Sequence, residues 1–258
     1  MTNDELINIV KPAFAEYSIM TIDQAEMQSL ISANIGKAGI SPFMLERVKV
    51  PAGGGLFWLV PSLDGEIPMR EVEGIICHFR DLRAFWPKKS GNGGTGAIGG
   101  PPDCFSEDAL VGHGRRFDGD EDATHDCLSC RFAQFGSDPR GGRGQACSAR
   151  RAVFLLRPDT ILPWLFMLPP TSIQPCDKFF IHLMSYRIPF YGAVVRIGLE
   201  KRQNAVGQDF SRAVFGRGRP LSADERAKIE SLRRVLCPAL DRTRMPVDDL
   251  FEGNNGGV

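Results

Sequence analysis

The chain has 258 residues and a mass of 28.4 kDa, enough to bury a substantial core as one large domain or two small ones. Its 43 % hydrophobic and 24 % charged fractions are those of an ordinary soluble protein. Lys+Arg and Asp+Glu both number 31, so net charge does not mark nucleic acid as a partner. The start, MTNDELINIVKPAF, lacks the basic stretch and apolar run of a secretory signal. The most apolar window, ILPWLFMLPP (161–170), is about half the ~20 residues of a spanning helix and contains three prolines. With seven cysteines and no export signal, the expectation is a reducing, cytoplasmic setting without membrane partners.

In chain order, the periodicity predicts helices over 4–16 and 21–35, the second capped by Thr21 or Asp23 and ended by Gly36 and Gly39. Strands follow around Leu45, Val48 and Val50, then at GLFWLVP after a Gly53-Gly54-Gly55 turn, then over 71–86. The Gly/Pro stretch 87–103 predicts a long insertion. AVFLLRP (152–158) and LPWLFMLP (162–169) read as strands, and Thr171 or Ser172 precedes a helix over 177–186. YGAVVRIGLEKRQN and FSRAVFG form two more strands about a polar turn at 204–207. Ser222 with Glu225 three residues on is a capping box opening the last helix. The expected organisation is a helical segment (1–40), a β-rich core (41–217) interrupted by an insertion (about 87–150), a C-terminal helix (218–245) and a disordered acidic tail (246–258). About seven short strands without strand–helix–strand alternation predict a β-rich α+β fold, with a five-stranded oligonucleotide-binding (OB-like) barrel fitting the lengths.

Cys104, Cys127, Cys130 and Cys147 occur as C-x22-C-x2-C-x16-C within the insertion, a region too polar for a core of its own. A Cys-x-x-Cys turn presents two thiolates to one ion and two outlying thiols close a tetrahedral shell, so the expected cofactor is structural Zn2+. His125 or His113 is an alternative fourth ligand. Cys77, Cys176 and Cys237 sit in apolar settings and read as core. A catalytic zinc is disfavoured: Glu107 stands three residues after Cys104, and Asp126 takes the place of the proline before the Cys-x-x-Cys of nucleobase deaminases. No phosphate loop, nucleophile elbow or dinucleotide fingerprint occurs, so no enzyme is expected.

Charge is distributed unevenly. Residues 103–126 hold eight acidic side chains and two arginines, whereas 131–151 hold five arginines and one aspartate. Arg131, Phe132, Phe135, Arg140, Arg143, Arg150 and Arg151 interleave guanidinium groups with rings, the mixture that holds single strands by stacking and phosphate contact. Arg80, Arg83, Phe85, Trp86, Lys88 and Lys89 extend it, although Arg80 and Arg83 fall on opposite faces of a strand. In the tail, Asp248, Asp249, Leu250 and Phe251 combine acid with an apolar pair, as a segment that meets a partner would.

The segments PPDCFSEDALVGHG, CLSCRFAQFGSDPRGGRGQAC and LPPTS resemble a family of proteins borne by phages and integrative elements, over roughly residues 45–215. The plan of a zinc module in a β-barrel with an acidic tail is similar to that of zinc-containing phage single-stranded-DNA-binding proteins. Those use one histidine and three cysteines, where four cysteines stand here. The resemblance implies a non-catalytic single-stranded-DNA-binding protein acting in replication or recombination in a bacterial host cell, meeting replication or recombination proteins through its tail. The alternative is a zinc-stabilised adaptor or virion-associated protein, and a third reading is a metal-dependent nucleic-acid enzyme.

Overall fold

The structure, a computed structural model, describes residues 17, 22–36, 40–86, 102–114, 123–139, 144–204, 207–242 and 245. The helix expected over 4–16, Lys88 and Lys89, and the tail lie outside the described residues. The first described helix, α1 (Gln24–Ile35), starts at Asp23, whose carboxylate accepts the Glu26 N–H at 2.8 Å, and stops at Gly36 in a left-handed conformation (φ 79°). The strands begin with β1 (Arg47–Lys49), β2 (Trp58–Ser62), β3 (Gly65–Met69), β4 (Glu71–Phe85) and β5 (Cys104–Ser106). Then come β6 (Val111–His113), β7 (Thr124–Asp126), β8 (Ser148–Leu156), β9 (Trp164–Leu168), helix α2 (Pro170–Ser185), β10 (Ala193–Gln203), β11 (Asp209–Pro220) and helix α3 (Ala223–Arg242).

The main sheet runs β1-β9-β8-β4-β5-β6-β7, and the β10–β11 hairpin joins it at residues 71–74 of β4. Only β1 with β9 is parallel among the described pairs, so the sheet is mixed. The path does not return on itself. The expected OB-like barrel is therefore corrected to a strand-rich α+β fold with an open sheet. Gly53–Gly55 turns the chain before β2, but the tight hairpin is β2–β3, one strand later than the glycines suggest.

Both faces of the central strands are covered. That is why β9 and residues 152–156 of β8 read as continuous apolar runs and not as alternating strands. One face packs Ile75, Cys77, Leu82, Phe154, Leu156 and Leu165 under α1 and α3, through Met27, Ile229, Leu236 and Leu240. The other packs Val72, Ile76, Val153, Leu155, Phe166 and Leu168 with α2, through Cys176, Phe179 and Leu183. Trp58 ties the β2–β3 hairpin to this second face: its ring is fully buried and its indole N–H donates to the Ile197 carbonyl at 2.9 Å. Helix α2 begins at Pro170, earlier than its sequence suggests, and Ser172 is buried there, accepting the Ala213 N–H at 2.9 Å. The capping box of α3 forms as expected between Ser222 and Glu225. Among the described residues no helix is long and apolar enough to cross a membrane.

Strand β4 carries a bulge between Ile76 and His78 in its ladder with β8. The extra residue reverses the side-chain alternation. Ile75 faces α3 before the bulge, Cys77 at it, and Leu82 and Ala84 after it. His78 thereby reaches Asp241 of α3, with Nε2 donating to Oδ1 at 2.9 Å. Burial holds the His78 pKa below the ordinary 6.5, with Asp241 opposing and Arg233 and Arg80 adding to the depression. The folded state then binds fewer protons than the unfolded chain once pH drops below that value, so this stability is complete above about pH 6.5 and is lost on acidification. Urea unfolding between pH 7.5 and 5 is expected to show a falling midpoint, and His78→Gln is expected to flatten that fall. An unchanged slope in the variant would show that His78 does not set it.

Candidate metal centre

The four clustered cysteines reach one place because three neighbouring strands and one turn deliver them. The ladder pairs Phe85 with Cys104 and Arg83 with Ser106, and Cys147 immediately precedes β8 beside the same end of β4. Strand β7 feeds directly into the Cys127–Cys130 turn. Asp126 fixes that turn, its carboxylate accepting the Leu128 N–H at 3.0 Å and the Ser129 hydroxyl at 2.6 Å. Those bonds, Ser129 first, hold the Asp126 pKa below the usual carboxylate value. A single 3-10 turn, Arg131–Ala133, follows, and the Cys147 N–H donates to the Phe132 carbonyl at 2.8 Å. Asp108 performs a parallel task for the loop after Cys104, accepting from Ser106 Oγ and from the N–H groups of Leu110 and Val111.

Cys104, Cys127, Cys130 and Cys147 line one cavity of about 10 Å³, together with Arg83, Phe85, Ser106, His125, Phe132 and Ala133. That volume admits one water-sized object. Gly112 forms part of the wall: a Cβ there would stand 2.7 Å from the Cys104 sulfur and 3.5 Å from that of Cys127. Burial pushes the Cys147 thiol up to about 12 against the opposing charge of Arg83, and raises Cys127 against Ser106 and Arg83. Among the described residues no group of three or more His, Cys, Asp and Glu side chains is arranged to hold a metal ion.

Of the histidine alternatives, His125 lines the cavity and His113 does not. His125 directs Nε2 to the Gly114 carbonyl at 2.9 Å, and His113 is exposed. Cys77 and Cys176 are buried core residues, as expected, and Cys237 is half-buried on α3.

The expected nucleic-acid residues divide sharply. Arg80, 7 % exposed, donates to Glu107 at 2.6 Å and to the Leu240 carbonyl at 2.8 Å, tying the Cys104 loop to the end of α3. Arg151, 6 % exposed, is bound by Asp81 and Asp177 and lies over the Phe79 ring. Arg150 is buried, and Phe85 is buried in a stack on Phe132 with centroids 4.7 Å apart. These four are corrected from surface contacts to structural residues: the covered sheet leaves them no solvent face. Trp86 packs against the core, and Arg83 turns into the cysteine cavity. What remains outside is Arg131, exposed with its guanidinium over Phe132, and Phe135, 82 % exposed. Arg140 and Arg143 lie outside the described residues.

Sequence reasoning missed Ser106, Gly112 and the turn-fixing Asp108 and Asp126. Only the aspartates left a signal, since Asp one residue before a Cys-x-x-Cys turn is a familiar side-chain cap of turn N–H groups. Comparison with family models, curated proteins and solved structures finds no match.

Two substitutions check this geometry. Gly112→Ala is expected to displace the Cys104 sulfur and disturb the cysteine module while urea unfolding of the main sheet stays near wild type. Arg151→Ala is expected to cost about 2–3 kcal/mol of global stability, below the value for a fully buried pair because Asp81 and Asp177 keep partial exposure. Equal stability in the second variant would return Arg151 to the list of binding residues.

Proposed function

We propose that the chain is a non-catalytic, zinc-stabilised protein that binds single-stranded DNA in replication or recombination. The observation that carries the reading is the convergence of four cysteines, from three separate segments of the insertion, on one atom-sized cavity whose lining turn continues into the exposed Phe135. The module's own apolar cluster is small, with Phe85, Cys104, Ala133 and Cys147 at its centre. A cluster of that size needs a further cross-link, and a tetrathiolate zinc with Zn–S near ~2.3 Å supplies one while releasing the thiol protons. Phe135 offers a ring for a base, and Arg131, Arg140 and Arg143 offer charge for phosphates.

A second reading, a zinc-stabilised adaptor, draws on a different observation. Leu110, Val111 and Leu128 are all exposed, and Leu110 and Asp126–Cys127 are joined by the β6–β7 pairing. These apolar side chains sit among Asp108 and Asp126, a surface suited to a protein partner. The tail residues Asp248, Asp249, Leu250 and Phe251 would add a second partner contact in either reading.

Metal analysis of the purified full chain is expected to give about one zinc per molecule, with Cys127→Ser losing it and becoming protease-sensitive within 100–150 alone. Fluorescence titration is expected to favour single strands over duplex, with a logarithmic salt slope of about −2 if Arg131, Arg140 and Arg143 each meet a phosphate. Phe135→Ala should weaken binding by about 1–3 kcal/mol. Weak, equal binding to all nucleic acids would support the adaptor, and metal-dependent strand turnover would support an enzyme.

The described core closes at Met245, which is 1 % exposed. Truncation after it is expected to leave the unfolding midpoint unchanged and single-strand affinity equal or higher, because an acidic segment no longer competes for the basic surface. Loss of affinity on truncation would assign the tail to the binding site.

A further inference from the structure

Arg83 leaves β4 opposite Ser106 on one neighbouring strand and Ala149 on the other, on the face that holds the cysteines. It lines the same cavity as all four of them. Its Nη1 is fully buried and has no hydrogen-bond partner. The rest of the guanidinium is within hydrogen-bonding reach of the Cys147 sulfur, and its charge acts on Cys127 as well. The contrast with its neighbours is sharp, because Arg80 and Arg151 are each neutralised by carboxylates while, among the described residues, no carboxylate pairs with Arg83.

A guanidinium nitrogen buried without a partner is costly, and an anion beside it offsets that cost. Neutral thiols do not provide one. A cavity of about 10 Å³ lined by four sulfurs has room for a single ion. Four thiolates around one divalent ion carry a net charge of −2, and the thiol protons pass to solvent as the shell forms. One guanidinium brings that to −1 and donates N–H groups to sulfur, as outer-shell partners of metal sites do for their ligands.

We propose that Arg83 is the built-in counter-cation of a mononuclear tetrathiolate centre, a positioning residue that hydrogen-bonds the ligand sulfurs. This rests on the zinc reading above, and it removes Arg83 from the nucleic-acid surface. It also explains why β4 places an arginine among apolar neighbours at the one point where three strands bring cysteines together.

Cobalt loading of the full chain reports on the sulfurs directly, because the sulfur-to-cobalt charge-transfer band moves with the electron richness of the thiolates. Arg83→Met is expected to shift that band to lower energy and to raise the rate of zinc transfer to a chelator by about ten- to a hundredfold. Arg83→Lys, which keeps the charge, is expected to restore most of the retention. If Arg83→Met does not fold, the wild-type chain decides: the Arg83 guanidinium resonances are expected to move and exchange slowly on zinc loading, and unmoved resonances overturn the proposal. An Arg83→Met protein that keeps zinc and the wild-type band overturns Arg83's role while leaving the zinc reading standing. A wild-type chain that shows no cobalt–thiolate band overturns both.

Discussion

The backbone ladder of β4 is the constraint on which the other features depend. Fifteen residues of one strand pair in turn with β10, β8 and β5, so a single hydrogen-bonded rod carries both the main core and the cysteine module. The bulge after Ile76 sets which side chains of that rod meet which layer. Before it, alternation serves one parity; after it, the other. His78 and Arg80 therefore point at α3, whereas Asp81, Arg83 and Phe85 point to the opposite face.

That alternation decides the fate of the arginines. Arg80 is consumed in joining Glu107 to the C-terminal turn of α3, and Arg151 in joining Asp81 to Asp177 of α2. Each guanidinium is planar, with several donors, and thus able to satisfy two elements at once in a partly dry site. The local excess of arginine over 131–151 consequently overstates the positive surface. Two of the five are internal, and among the described residues of this stretch Arg131 is the arginine left exposed.

The cysteine module has the opposite economy. Its strands β5, β6 and β7 are three residues each, and its loops are fixed by Asp108 and Asp126 and not by apolar burial. Such short strands have few ladder bonds and little side-chain area to hold them. Their position depends on the anchoring of Cys104 and Cys147 to the end of β4. Gly112 matters here because the sulfurs occupy the space where a Cβ would be.

Much of the architecture was legible from residues alone. Strand β4, the apolar runs of β8 and β9, the β10–β11 hairpin, the Asp23 and Ser222 caps and the clustering of Cys104, Cys127, Cys130 and Cys147 all follow from local periodicity, capping chemistry and spacing, which act between near neighbours in sequence. The three-residue strands β5–β7 were not legible, because a strand that short has no period to read. The earlier start of α2 was hidden because Pro170 and Ser172 look like a turn until Ser172 finds the Ala213 N–H, 41 residues away. The open sheet in place of a barrel, and the destinations of Arg80, Arg83, Phe85, Arg150 and Arg151, were decided only by tertiary structure. Sequence fixes whether a side chain is charged, but whether its charge meets solvent, a carboxylate or a cluster of sulfurs depends on which strands pair and on one bulge that reverses the faces.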